Sequence, residues 1–197
     1  MEVTKLYQPA EFKQLIQDAS KLAKEKGFWD KERNLYEVVM LIVSECGEAL
    51  EAHRKGKRAD MSDWGAQYNG CDMLDTNERM GFETWIKDSF EDELADVIIR
   101  IADLCGGLGI EPKFLEAQND IEDNVGENLL AITMMLCASI DFERVKVPKY
   151  RIDTEPLGLA VSMIYDLARK MNIDLDRHIK LKMQYNQGRE RMHGKAY

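Results

Sequence analysis

Glu45 and Glu48 stand one helical turn apart in "SECGEALEAH" (44–53), and Glu93 and Asp96 repeat that spacing in "FEDELADVIIRIADL" (90–104). Residues three and four apart share a helix face. Positions 38, 41, 42, 45, 48, 49 and 52 therefore form one stripe, in which Glu45 and Glu48 continue an apolar run rather than oppose it. Glu93 and Asp96 likewise precede Val97, Ile98 and Ile101 on a second stripe. A carboxylate drawn toward a core needs a proton, a cation or a metal. Two such helices packed antiparallel bring four hard oxygen ligands together, a set that suits Mg2+ or Mn2+ and not a soft metal. A solvated ExxE face is the plainer reading of either pair alone, with Arg100 placed to pair with Asp96 one turn on. Glu51, Glu91, Asp92 and Asp103 fall beside the stripes and read as surface or supporting acids. A di-iron bundle would want Glu-x-x-His on two helices, and none of His53, His178 and His193 stands three after a glutamate.

The elements that must position these acids are helical. Four prolines and the lack of a two-residue alternation leave little room for strands. The spacing predicts helices over about 9–26, 35–54, 89–104, 124–140, 156–171 and 175–191, with "GGLGI" (106–110) ending the third of these. A polar, glycine-containing insert at about 59–88 is long for a structureless loop and predicts a short helix around "FETWIKD" (82–88). The whole chain reads as one all-α domain. "LADVIIRIADLCGGLGIE" (94–111) aligns without gaps to "LGLAVSMIYDLARKMNID" (157–174), and "IVSECGEALEAHR" (42–54) aligns more weakly to "ITMMLCASIDFER" (132–144). The pattern predicts a degenerate internal duplication of the central helix pair at about 125–173, with Met135, Ala138 and Leu159 where the first copy has Glu45, Glu48 and Asp96.

The bulk numbers narrow the function class. The 197 residues are 45% hydrophobic and carry a formal net charge of −9, which argues against binding a nucleic-acid polymer and leaves small anions reachable through a divalent metal. Cys46, Cys71, Cys105 and Cys137 show neither a CxxC pair nor zinc spacing, as expected of free thiols in a reducing compartment. No run approaches a membrane span, and "MEVTKLYQPAEF" lacks the apolar stretch of a signal peptide, so the expected location is the cytoplasm with no membrane partner.

With these residues in view, "GFWDKERNLYEVVMLIVSECGEALEAHRKGK" (27–57) and "FEDELADVIIRIADLCGGLGI" (90–110) resemble the MazG-like group of all-α nucleoside triphosphate pyrophosphohydrolases, a superfamily shared with the dimeric dUTPases. The hallmark ExxE and ExxD are matched by Glu45, Glu48, Glu93 and Asp96. The closing "KMQYNQGRERMHGKAY" (182–197) resembles the KxxxNxxR segment and basic tail of many members, matched by Lys182, Asn186, Arg189, His193 and Lys195. The resemblance covers about 9–110 and 173–197. In short members the closing segment follows the third helix directly, whereas here the degenerate copy intervenes.

The resemblance implies an antiparallel helical bundle of the all-α NTP pyrophosphatase type, with catalytic helices at about 35–110 and a basic closing segment at about 174–197. It implies a Mg2+-dependent enzyme (Mn2+ as a substitute) that hydrolyses (d)NTP to (d)NMP and pyrophosphate, working as a homo-oligomer, most simply a dimer. Glu45, Glu48, Glu93 and Asp96 would be metal ligands, with Glu45 also orienting the attacking water. Lys182 and Arg189 offer a point charge and a planar fork to the polyphosphate, with Asn186 between them on one helix face. Trp29 and Phe28 are candidates for lining the base, and Gln14 and Gln17 for reading its edge. Arg54, Lys55, Lys57 and Arg58 could add phosphate contacts, but a basic C-terminus also complements the helix dipole. The alternative function is a catalytically silent helical interaction protein that kept the fold.

Overall fold

The computed structural model describes residues 9–62, 64, 76–114, 121–140 and 152–194. Among them lie seven α-helices: α1 (Pro9–Glu25), α2 (Leu35–Arg54), α3 (Thr76–Trp85), α4 (Phe90–Leu108), α5 (Val125–Ala138), α6 (Thr154–Lys170) and α7 (Leu175–Gln187), followed by a 3-10 turn, Arg191–Gly194. The described backbone has no strand, only an isolated antiparallel bridge between Ile140 and Ile152. No described helix is long and apolar enough to cross a membrane. Cys71, Lys195 and part of the expected duplication (141–151) lie outside the described residues.

α4 is the central element, packed against α1, α2, α6 and α7. Its start is set locally. The Ser89 side chain accepts a hydrogen bond from the Asp92 backbone N–H, and Glu91, Asp92 and Glu93 place negative charge on the first turn, where the helix dipole favours it. Leu94, Ala95, Val97, Ile98, Ile101 and Ala102 are fully buried, each large aliphatic contributing about 1.5–3 kcal/mol. α2 opens in the same way, with Asn34 accepting from the Tyr36 N–H at 2.9 Å, and buries Val38, Val39, Ile42, Cys46, Ala49 and Ala52. α5 and α6 pack as a second pair, α5 also touching α2 and α6 also touching α4.

Two departures from the sequence expectation bear on the site. Gly106 and Gly107 do not end α4; the helix runs to Leu108, and Gly109 (φ 67°) is the left-handed cap. A Cβ at Gly106 would run into Ser20 and the Ile16 carbonyl of α1, and one at Gly107 would overlap the Trp29 indole. The glycines are there for close approach, which local propensity cannot reveal. The insert helix lies earlier than expected, at Thr76–Trp85. A small second core of Trp64, Phe82, Ile86, Leu181 and Tyr185 joins it to α7, with the Phe82 and Tyr185 rings stacked at 4.6 Å. The turn after α3 carries Lys87 and Asp88 to the mouth of the cavity described next.

Candidate metal and phosphate site

A cavity of about 320 Å3 opens between α1, α2, α4 and α7. One face of α4 forms its floor: Glu93, Asp96, Arg100 and Asp103 recur at three- and four-residue steps. From Glu93 to Asp103 the helix rises about 15 Å. Apolar walls come from Ala23 of α1, Ile99 of α4 and Met183 of α7.

Glu45, Glu48 and Glu93 bring carboxylate oxygens within 4.8 Å of one another at the α2–α4 end. Glu45 is buried and Glu48 exposed, so the group sits at the boundary between core and solvent. Burial pushes the Glu45 carboxyl upward against the pull of Arg100. Burial, then the neighbouring Asp96, raises Glu93 to about 9. Convergent oxygen donors of which Glu45 and Glu93 resist carrying charge are what a hard divalent cation relieves. The donor set fits Mg2+ or Mn2+.

Asp96 lines the same cavity, but its Oδ2 accepts from Lys182 Nζ at 2.7 Å. Lys182, expected on the polyphosphate, is 5% exposed and also donates to Asp92 Oδ2 at 2.7 Å. Burial alone would pull its ammonium down; the carboxylates of Asp96 and Asp92 hold it above the ordinary lysine value. Asn186 is buried and Arg189 half-buried, and both line the cavity. The Arg189 guanidinium lies 5.9 Å from the Tyr185 ring and reaches Asn186 Oδ1 at 3.4 Å.

Several residues play parts that sequence reasoning missed. Arg100 does not pair with Asp96; its Nε donates to Glu45 Oε1 at 2.6 Å, across helices. Of the two readings open for Asp92, the structure takes the supporting one: it is 1% exposed, its Oδ2 accepts also from the Asp88 N–H, and its Oδ1 is buried without a partner. Glu91 is likewise buried, held by Arg58 Nε at 2.6 Å and the Ala59 N–H at 3.0 Å. Asp103 continues the Glu93–Asp96–Arg100 stripe by one more turn, a periodicity that would have found it. Burial raises its carboxyl to about 6, against the Trp29 hydrogen bond and Arg33.

Trp29 stands outside the cavity. Its Nε1 donates to Asp103 Oδ1 at 2.7 Å, the Arg33 guanidinium lies 5.4 Å from its ring, and Gly107 abuts the indole. It braces the end wall, and the neighbouring Phe28 is the aromatic that lines the cavity, edge-on to His193 at 5.1 Å. Gln14 and Gln17 are exposed on α1, away from the cavity, with Gln14 donating to Asp18. Of the basic run after α2, Arg54 and Lys55 pair with Glu51, and Lys57 lies 3.7 Å from Asp88. The C-terminal turn is tied to the end of α1: Lys26 Nζ donates to the Gln187 and Arg189 carbonyls, the Met192 N–H donates to the Lys26 carbonyl at 2.9 Å, and Arg191 pairs with Asp30.

No family model matches this chain, and neither the curated proteins nor the solved structures contain a match to it.

Proposed function

We propose that the protein is a Mg2+-dependent nucleoside triphosphate pyrophosphohydrolase, converting (d)NTP to (d)NMP and pyrophosphate in nucleotide pool control or housecleaning, as the MazG-like resemblance implies. The observation that carries the reading is the convergence of Glu45, Glu48 and Glu93 within 4.8 Å at one end of a cavity also lined by Lys182, Asn186 and Arg189. Glu45, Glu48, Glu93 and Asp96 would hold the ion. When bound, Mg2+ neutralises phosphate charge and lowers the pKa of a coordinated water.

The chain's own groups supply the rest. Arg100 fixes the Glu45 carboxylate through its Oε1, leaving Oε2 as the atom to orient an attacking water. Arg189 presents a guanidinium braced on Tyr185 and Asn186, suited to a phosphate oxygen pair. Lys87 adds a cation at the mouth. Ala23, Ile99, Met183 and Phe28 offer apolar surface of the same cavity to a base.

In the same reading the α5–α6 pair is a decayed copy of α2–α4. Both pairs pack together, and the matched positions Met135 and Ala138 carry no acid. The exposed Met40 of α2 and Leu130 and Met134 of α5 would be covered in a cytoplasmic homodimer.

A screen of canonical and modified (d)NTPs for pyrophosphate release with Mg2+ tests the proposal. At least one substrate is expected to turn over, with Glu48→Gln and Asp96→Asn abolishing release at unchanged helicity. Silence across the whole set overturns the hydrolase reading and leaves the interaction protein.

A further inference from the structure

The acids at the cavity end form two groups, not one. Glu45, Glu48 and Glu93 make the first, and Asp88, Asp92 and Glu93 make the second, each with oxygens within 4.8 Å. Glu93 belongs to both, the position a bridging carboxylate takes in a two-cation centre, where ions sit about 3.5–4 Å apart. The two groups differ in what already neutralises them. Around the first, the only ion pair among the described residues is Arg100 on Glu45; neither Glu48 nor Glu93 has one. With all three carboxylates ionised, as an incoming cation would require, two negative charges would be left over there. Around the second, Lys182 sits at 2.7 Å from both Asp92 and Asp96, while Lys87 lies at 2.6 Å and Lys57 at 3.7 Å from Asp88. Three ammonium groups thus face Asp88, Asp92 and the adjoining Asp96, one for each of these aspartates.

We infer that the centre is built for a single divalent cation, held by the Glu45–Glu48–Glu93 group, and that the ammonium of Lys182 is a tethered cation occupying the second position. The inference rests on the metal reading proposed above, moves Asp96 from the ion to the Lys182 ammonium, 2.7 Å away, and goes beyond that reading in fixing the number of ions. The geometry explains why a lysine expected to reach a ligand is itself buried on Asp92, a residue 1% exposed. It also accounts for the unpartnered Asp92 Oδ1: an ammonium meets one oxygen of the carboxylate, and the other is what a divalent ion would add. Lysine suits the place because its charge is compact and its stem reaches across from α7.

Mn2+ titration, read by the loss of the free-ion paramagnetic resonance signal and by calorimetry, counts the ions without reference to turnover. The wild-type chain is expected to bind one Mn2+, with Glu48→Gln weakening it at least about 10-fold. Lys182→Met is expected to bind two, the second on Asp92 and Asp96 with Asp88 and Glu93. Two ions on the wild type, or one on Lys182→Met, overturns the inference while leaving the metal site standing. No ion on the wild type overturns both readings. Should Lys182→Met not fold, Asp92→Asn decides: its first-ion affinity is expected within about threefold of wild type, since Asp92 serves the ammonium, and a loss of 10-fold or more would make Asp92 a ligand of the first ion and sink the assignment.

Discussion

Replacing Lys182 by methionine keeps the length of the stem and deletes the charge, which isolates what the ammonium does for the fold. Asp92 is 1% exposed, and among the described residues Lys182 is the only cation within ion-pair distance of it. Without it the carboxylate keeps only the Asp88 N–H at 2.9 Å. Two outcomes are open to the folded variant, and they cost about the same. Leaving one member of a buried pair uncompensated costs about 3–5 kcal/mol. Taking up a proton at pH 7, against an unfolded-state value near 3.9, costs about 4 kcal/mol at roughly 1.4 kcal/mol per pH unit. The expected loss is thus about 4 kcal/mol at neutral pH, a fall of roughly 1.5–2 M in the urea midpoint for a typical slope. The second route carries a signature. The folded-state value of Asp92 would lie above its unfolded one, so its contribution is intact at low pH and lost as pH rises. Burial already raises Asp92 to about 6 in the wild type, against the pull of Lys182, so the two proteins should converge and the penalty should shrink on going to pH 5. Urea unfolding followed by far-ultraviolet circular dichroism, in chelator and at both pH values, measures this. Lys182→Met/Asp92→Asn should recover more than half of the loss. A penalty below about 1 kcal/mol, or one indifferent to both pH and the second substitution, would refute the claim that Lys182 is a structural counter-ion.

Three further outcomes follow from other parts of the molecule. Burial lowers His178 to about 4, with Glu91 and Asp174 pulling it up and Arg177 and Arg58 pushing it down; its neutral form is favoured by the fold, so stability present above about pH 6.5 should fall by about 2 kcal/mol on going to pH 5, and His178→Gln should flatten that part of the pH profile in urea melts. Gly47 lies in α2 with nothing within 4 Å of a Cβ, so Gly47→Ala should stabilise by about 0.5–1 kcal/mol. Gly107→Ala should instead destabilise by about 1–3 kcal/mol and shift the tryptophan emission as Trp29 leaves Asp103; equal signs for the two glycines would contradict the packing. Leu130 and Met134 are exposed on α5, so a double Leu130→Glu/Met134→Glu variant should convert the proposed dimer to monomer in light scattering, with helicity retained.

What could be read from the sequence was what is decided within one or two helical turns. α2 was expected over 35–54 and runs Leu35–Arg54, because Asn34 caps it and the buried stripe beyond keeps helical spacing to Ala52. The ExxE and ExxD pairs were legible for the same reason. The misreadings at the site itself involve partners distant in sequence. Gly106 and Gly107 read as a stop because glycine is locally a poor helix former; what keeps them in α4 is the close approach of Ser20 and Trp29. Asp92 and Glu91 were left between surface and supporting roles because the cations that let them be buried, Lys182 and Arg58, lie 90 and 33 residues away. Arg100 has an acid one turn back, Asp96, and ignores it for Glu45 on another helix. Charge at helical spacing announces that a residue has a face, and only the packing says what it meets there.

The Lys182–Asp92 pair, 90 residues apart in the chain, also sets an order of events during synthesis. A ribosome that has just finished α4 has made a helix whose first two turns carry Asp92 and Asp96 and has not yet made the ammonium that neutralises them. Until α7 emerges, burying those turns means either protonating Asp92 or stranding its charge, so the nascent α2–α4 pair can dock through its apolar end near Ile98 and Ile101 but not close at the acidic end. The final closing contact then belongs to a late, non-local step, of the kind that slows folding and leaves surface open in the interval. The region proposed to bind the cation would be the last part of the bundle to become solid.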